Sequence, residues 1–296
     1  MKKYSLLAIF IICTAGLFAQ DNAGSTAQDT KDEINFTTET FESTRILNGH
    51  SIERLDPGQL DFRISHRFGT LNSGAYNFFG LDQSNIHLSL EYGITKWLMT
   101  GVGRGNYEKT FDGFTKFSVL RQSTGSRVMP VSVSVVTSAA MNTLKWTDPT
   151  RTNYFSSRLS YVGQVLIARK FGDFLSLQVT PSYVHRNLVA TELDPNDLYS
   201  IGIGGRIKLT NMISLDAEYY YLLNPTKYMS QKVYNPLSLG VDIYTGGHTF
   251  QLFFTNSQAM IEKGFIGETT GSWTKGDIRF GFNISRIFVL HYPDQK

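Results

Sequence analysis

The chain has 296 residues, a formal charge of +3 and a single cysteine, a length that holds either two soluble domains or one large barrel. Charged residues make up 18% and aromatics 13%, with 26 glycines, so charges are sparse and rings plentiful for a soluble domain. With no basic run or Lys/Arg cluster, the small positive charge is no argument for nucleic acid, and one cysteine excludes a disulfide framework.

Residues 1–19 read as an export signal: Lys2 and Lys3 start it, Leu6 to Ile12 form the apolar middle, and Ala15 to Ala19 the small-residue end. Cys13 follows Ile11 and Ile12, whereas a lipoprotein signal wants small residues before its cysteine. Cleavage after Ala19 or Gln20, without lipidation, is the expectation. Residues 20–40 are polar and without period, a flexible periplasmic linker by composition. Residues 41–58 (FESTRILNGHSIERLDPG) form a pre-barrel segment that is not a full strand pair. No later apolar run reaches the ~18 residues of a membrane helix, so an exported chain that enters a membrane would do so as a closed barrel.

Alternation begins at Leu60 and continues to residue 291. In LDFRISHRF, Leu60, Phe62, Ile64 and Phe68 share one parity and Asp61, Arg63, Ser65 and Arg67 the other. IHLSLEYG, WLMTGVGRG, TFDGFTKFSVL, PVSVSVVTS and two strands over residues 158–169 and 174–185 follow the same rule. The pattern is most regular over residues 198–221. There Ile201, Ile203, Ile207 and Leu209 alternate with small or basic residues, a TNM turn follows, and Ile213, Leu215, Ala217, Tyr219 and Tyr221 alternate again. Such period-two runs predict strands with one apolar and one polar face. Residues 237–244, HTFQLFFTNS and DIRFGFNISRIFVL complete about twelve strands.

Short connections (GITK, KFGD, TNM, TGG) alternate with longer ones such as AAMNTLKWTDPTRTNYFS and QAMIEKGFIGETTGSWTKG, as expected when one rim faces the periplasm and the other the outside. Strands near ten residues long, with rings at their ends (Tyr92, Trp97, Tyr161, Tyr183, Tyr244), outweigh the soluble sandwich, whose strands average ~5–6 residues. The fold class is therefore all-β, a transmembrane antiparallel up-and-down barrel over residues 59–291. Its location would be the outer membrane, with periplasmic termini and extracellular long loops.

If the apolar parity faces lipid, the polar parity lines the lumen. It carries the acids Asp61, Glu91, Asp216, Glu218 and Asp242 and the bases Arg63, Arg67, Lys116, Arg158, Arg206, Lys208 and Arg279. Arg206 and Lys208 end one strand where Asp216 and Glu218 begin the next, so cross-strand ion pairs are expected. The mixed charges read either as a network satisfying buried charge or as a constriction that selects permeants. Gly93, Gly101, Gly103, Gly202, Gly204, Gly240 and Gly281 share the inward parity and leave space or let strands bend. Arg45, Glu53 and Arg54 of the pre-barrel segment are candidates to dock on the charged periplasmic mouth and gate it.

His66 and His87 fall on opposite faces, and His185 and His248 are scattered at the rims, a poor metal set. GVGRG and GIGGR lie within strands with no helix to follow, and HExxH, GxSxG and P-loop motifs are absent. No cofactor, metal or catalytic residue is assigned, and the protein reads as a non-enzyme. A lipase-like His–Ser pair on the lipid face is the remote alternative.

The segments FESTRILNGHSIERLDPGQLDFRISHRFG, FFGLDQSNIHLSLEYGITKWLMTGVGRG and DGFTKFSVLRQ resemble an uncharacterised family of outer-membrane β-barrels found in Bacteroidota. So do DPNDLYSIGIGGRIKLT, TGGHTFQLFFTNSQAM and GDIRFGFNISRIF. The likeness spans about Phe41 to Leu290 and implies a barrel, with no functional residue to carry over. The chain ends RIFVLHYPDQK instead of on the terminal aromatic that barrel-insertion machinery often reads. The favoured function is a pore for small hydrophilic solutes. The alternative is a closed structural or assembly barrel that binds a periplasmic protein partner. Outer-membrane lipid and the insertion machinery are the expected surroundings.

Overall fold

The computed structural model describes residues 33–225 and 230–291; the export signal expected over residues 1–19 lies outside them. Each run of alternation is a strand. β1 (Ile34–Phe36) is followed by β2 (Gln59–Thr70), β3 (Ser84–Thr95), β4 (Leu98–Gly105), β5 (Phe111–Leu120), β6 (Ser123–Gly125) and β7 (Ser132–Met141). Then come β8 (Leu159–Phe171), β9 (Leu175–Arg186), β10 (Asp197–Lys208), β11 (Ile213–Leu222), β12 (Leu237–Tyr244), β13 (His248–Thr255) and β14 (Arg279–Val289). All but β1 and β6 join one closed barrel, each strand paired to its sequence neighbour and β14 closing on β2. The pairing is antiparallel throughout, so the structure is a twelve-stranded up-and-down barrel. Its one irregular seam pairing lies between Arg279 and Gly281.

Burial follows the pleat. In β10 and β11 the even-numbered residues from Ser200 to Arg206 and from Ser214 to Leu222 are buried, while Ile201, Ile203, Leu215 and Tyr221 are exposed. The same outward parity exposes Leu88, Leu90, Val102, Val165, Val179, Leu239, Leu252 and Phe254 around the wall. A continuous apolar belt is unstable in water and suited to lipid. Inside the barrel the order is reversed: the buried set is dominated by Ser, Thr, Gln, Asn and charged residues.

Two segments fill the interior. Residues 40–56 enter from the short-turn rim, fold as a tight hairpin with Arg45 bridged to His50, and return to β2. Ile46 N donates to Gly49 O and Ser51 N to Thr44 O, closing the hairpin across a Leu47–Asn48 tip. From the opposite rim, the loop between β13 and β14 turns inward and forms α1 (Glu262–Gly267), every residue of which is buried. The stretch read as a linker also contains a strand: β1 pairs with β6, which lies in the turn between β5 and β7.

Candidate functional site: a lumen filled from both ends

The hairpin has few backbone partners of its own, so its polar groups must be satisfied by the wall. Asn48 N and Nδ2 donate to Glu218 Oε1 at 2.7 and 2.6 Å, and Gly49 N donates to Glu218 Oε2 at 3.1 Å. Lys116 Nζ donates to the carbonyls of Thr44, Ser51 and Glu53 at 3.2, 3.0 and 2.7 Å. Gln178, Gln251 and Asn283 side-chain amides donate to the carbonyls of His50, Ile46 and Leu47 at 2.8, 2.7 and 2.8 Å. Arg63 Nη2 reaches Ser43 Oγ and Thr44 Oγ1, and Arg67 Nη2 reaches Asn48 Oδ1 at 2.6 Å. The wall thus supplies donors and acceptors matched to one bent peptide.

One side of the hairpin is apolar. Phe41, Ile46, Ile52 and Leu55 pack with Met99, Phe114, Val136, Leu166 and Ala168 of β4, β5, β7 and β8. Close approach elsewhere depends on missing side chains. A Cβ on Gly204 would lie 2.3 Å from Ile46 Cδ1, and one on Gly93 would lie 2.1 Å from the Asp56 carbonyl oxygen. The inward glycines therefore accommodate the hairpin and one another's neighbours more than they widen a pore.

The inward charges occupy distinct places. Asp61, Arg63, Arg67, Glu91, Lys116, Arg206, Asp216, Glu218 and Asp242 are all buried. Arg206 stands opposite Asp216 in the register, and Lys208 opposite Ser214. The expected cross-strand pairs are nevertheless replaced, because the hairpin and the residue just ahead of it bring their own acids: Arg206 pairs with Glu42 and Lys208 Nζ lies 3.6 Å from Glu39. Asp216 instead accepts from Ser214 Oγ, and Asp242 from Gln251. Asp61 accepts from Ser285 Oγ at 2.7 Å. Arg158 sits in the short helical turn before β8, and Arg279 donates to the Phe68 carbonyl at the long-loop end of the barrel.

Docking at the mouth, expected for Arg45, Glu53 and Arg54, describes only part of the segment. Arg54 Nε donates to Lys96 O at the rim, and Glu53 accepts from Thr40 N. Arg45 lies deep in the lumen, where its Nη1 meets Glu262 of α1 at 2.6 Å and its Nε lies 3.5 Å from Glu91. The correction follows from the hairpin's shape, which carries position 45 inward while its two ends stay at the rim.

The inward loop has its own socket. Phe265 and Ile266 pack with Val162, Val184, Leu198, Tyr220 and Leu222. Lys263 Nζ bonds Glu108 at 2.6 Å and Glu268 at 3.0 Å. Burial lowers the Lys263 ammonium, but Glu268 and Glu108 outweigh it and hold the group above its ordinary 10.5. Above this loop a cavity of about 580 Å³ opens at the long-loop rim, and a second of about 190 Å³ lies at the short-turn rim beside Arg54 and Arg121. They share no lining residue, and the hairpin and loop lie between them.

The histidines do not converge. His87 and His185 each bond one carboxylate, Asp112 and Asp197, at 2.7 Å, while His66 is stacked on Phe282. Among the described residues no group of three metal-binding side chains forms, and no serine bonds a histidine ring. The hairpin's position could not be read from period or motif. The available signals were the inward glycines and the apolar MIEKGFIG run inside a loop that should otherwise be polar.

A closed antiparallel barrel with an apolar outer belt and a filled polar lumen defines a membrane β-barrel of the outer-membrane type. The chain belongs to the membrane bound beta barrel domain family (DUF5777), which matches residues 41–288 and so includes the hairpin. No curated protein matches it. Among solved structures, the COG4313 outer membrane channel from Pseudomonas putida F1 is similar over 80% of this chain and 98% of that one, with TM-score 0.51 and 10% identity. The KdgM porin covers 78% of this chain and 99% of its own at TM-score 0.47 and 9% identity. Outer membrane phospholipase A from Escherichia coli covers 79% and 95% at 0.43 and 14%. At these identities the likeness is one of fold.

Proposed function

We propose that the protein is an outer-membrane channel for small hydrophilic solutes, closed at rest by residues 40–56 and by the loop carrying α1. In this reading the short-turn rim and both termini are periplasmic and the long loops extracellular. The carrying observation is the chemistry of the wall behind the hairpin. Ser65, Ser89, Ser134, Gln178, Thr180, Ser238, Gln251 and Asn283 are buried there, together with the charged residues named above. Polar lining of this kind is shared with barrels whose lumen admits water, so water would take the hairpin's place at these groups once it withdrew. Both ends of the hairpin lie at the same rim, so withdrawal needs no threading.

The apolar patch from Phe41 to Leu55 favours a second reading, a permanently closed barrel that binds a partner through its rims. Planar-bilayer recording separates the two. Intact protein should give rare openings, and a variant lacking residues 41–55 should give steady, larger currents. A silent deletion variant that still forms a heat-modifiable barrel overturns the channel reading.

A further inference from the structure

The outer cavity has a charge imbalance that its own ion pairs leave standing. Its lining includes Lys145, Arg158, Arg186 and Lys263 against Glu108, Asp194 and Glu268. Both glutamates are taken by Lys263, and Glu268 lies only 3.9 Å from Arg186 Nη1. Asp194 is taken by the Thr191 hydroxyl and by the backbone N–H groups of Thr191 and Ser230. That leaves Arg158 and Lys145 with no carboxylate among the described residues. Arg158 is held in place by the carbonyls of Asn142 and Leu144 at 2.9 and 2.7 Å, and its guanidinium lies 4.0 Å from the Trp146 ring centroid. Arg186 is 9% exposed and its Nε has no hydrogen-bond partner.

We propose that this vestibule is a binding site for a small anionic solute, a carboxylate or phosphate on a compact polar body. A preset guanidinium and a second free cation, with Arg186 on the same wall, line a cavity of about 580 Å³, within the size range of small-molecule sites. Charged hydrogen bonds to a fixed Arg give such a site its preference for anions over neutral solutes. An anion drawn between Arg186 and Lys263 also competes with Glu108 and Glu268. It would thereby loosen the loop that carries α1. The coupling to the lumen rests on the channel reading above; the binding does not.

Calorimetry of the full mature chain in detergent, with glucuronate, glucose 6-phosphate and glucose as probes, tests this on one ring in three charge states. Saturable binding of either anion, weakened about tenfold or more by Lys145→Gln with Arg158→Gln, is the expected result. The two anions distinguish carboxylate from phosphate. Lys145→Gln alone, at a residue with no hydrogen bond to lose, should weaken binding in the same direction without disturbing the loop. Glucose binding as well as the anions, no binding of any probe, or unchanged affinity in both variants would overturn the inference. Anion binding by a barrel that never conducts would leave this site standing and remove the channel reading. Conductance without anion binding would do the reverse.

Discussion

Arg45 and Glu262 stand 217 positions apart and meet at 2.6 Å inside the barrel, one on the hairpin and one on α1. This contact fastens together the two segments that fill the lumen from opposite rims. Removing one partner of a buried pair leaves an uncompensated charge, at a cost of about 3–5 kcal/mol. Arg45→Met strands Glu262, while Glu91 keeps Arg63 at 3.9 Å and the Thr44 hydroxyl, and it should raise open probability and lower the thermal midpoint. Arg45→Met with Glu262→Gln should recover part of the loss. A double-mutant cycle on the midpoint that shows no coupling would dissolve the link.

Glu218 holds the hairpin tip through three donors. Glu218→Ala removes all of them, and at about 1.5–3 kcal/mol for a hydrogen bond to a charged group the tip should detach. Limited proteolysis from the short-turn side should then cut near Arg45 or Arg54 in the variant and spare the intact protein. Equal protection in both would place the hold elsewhere.

Gly204 offers a way to expel the hairpin without touching a charge. Gly204→Val puts a branched side chain where Ile46 Cδ1 lies, 2.3 Å from a Cβ, on a strand that tolerates β-branched residues. The barrel should still assemble, read as unchanged heat-modifiability on SDS gels, while the current rises toward that of the deletion variant. Loss of the folded band would show that the position serves the wall and not the hairpin.

His50 should make docking of the hairpin sensitive to acid. It is fully buried 4.4 Å from the Phe114 ring, with Arg45, Lys116 and Arg63 around it and Glu262 Oε1 3.5 Å from Nε2. Burial pushes its imidazole well below the ordinary 6.5, and the three cations push the same way. The withdrawn hairpin binds the proton and the docked one does not, so docking is strongest above pH 6.5 and weakens as the pH falls. The closing equilibrium should shift by about tenfold per pH unit below that value. Open probability should climb between pH 7 and 5 in the intact protein, and His50→Gln should flatten that part of the profile. An identical climb in the variant would assign it to the lumenal carboxylates.

The barrel was legible because its signal is local. Ile201, Ile203 and Ile207 face outward whatever the rest of the chain does, and twelve such runs with alternating loop lengths leave little choice of architecture. The filling of the lumen was not legible for the opposite reason. Asn48 finds Glu218 across 170 positions, and Arg206 abandons the opposing Asp216 for Glu42 across 164. Nothing in the register of two strands reports a third segment lying between them. The glycines at 93, 204 and 240 carried the trace of it, since a narrow barrel that keeps so many inward positions empty needs something to occupy them.

The hairpin is made before any strand of the barrel, yet its partners run from Arg63 on β2 to Asn283 on β14. Its seat therefore does not exist until the last strand has joined the first. Contacts of such long sequence separation form late, which makes a segment synthesised ahead of the whole barrel the last to acquire its structure. A barrel caught during membrane assembly would carry an empty bore, and seating of the hairpin would mark completion of the molecule.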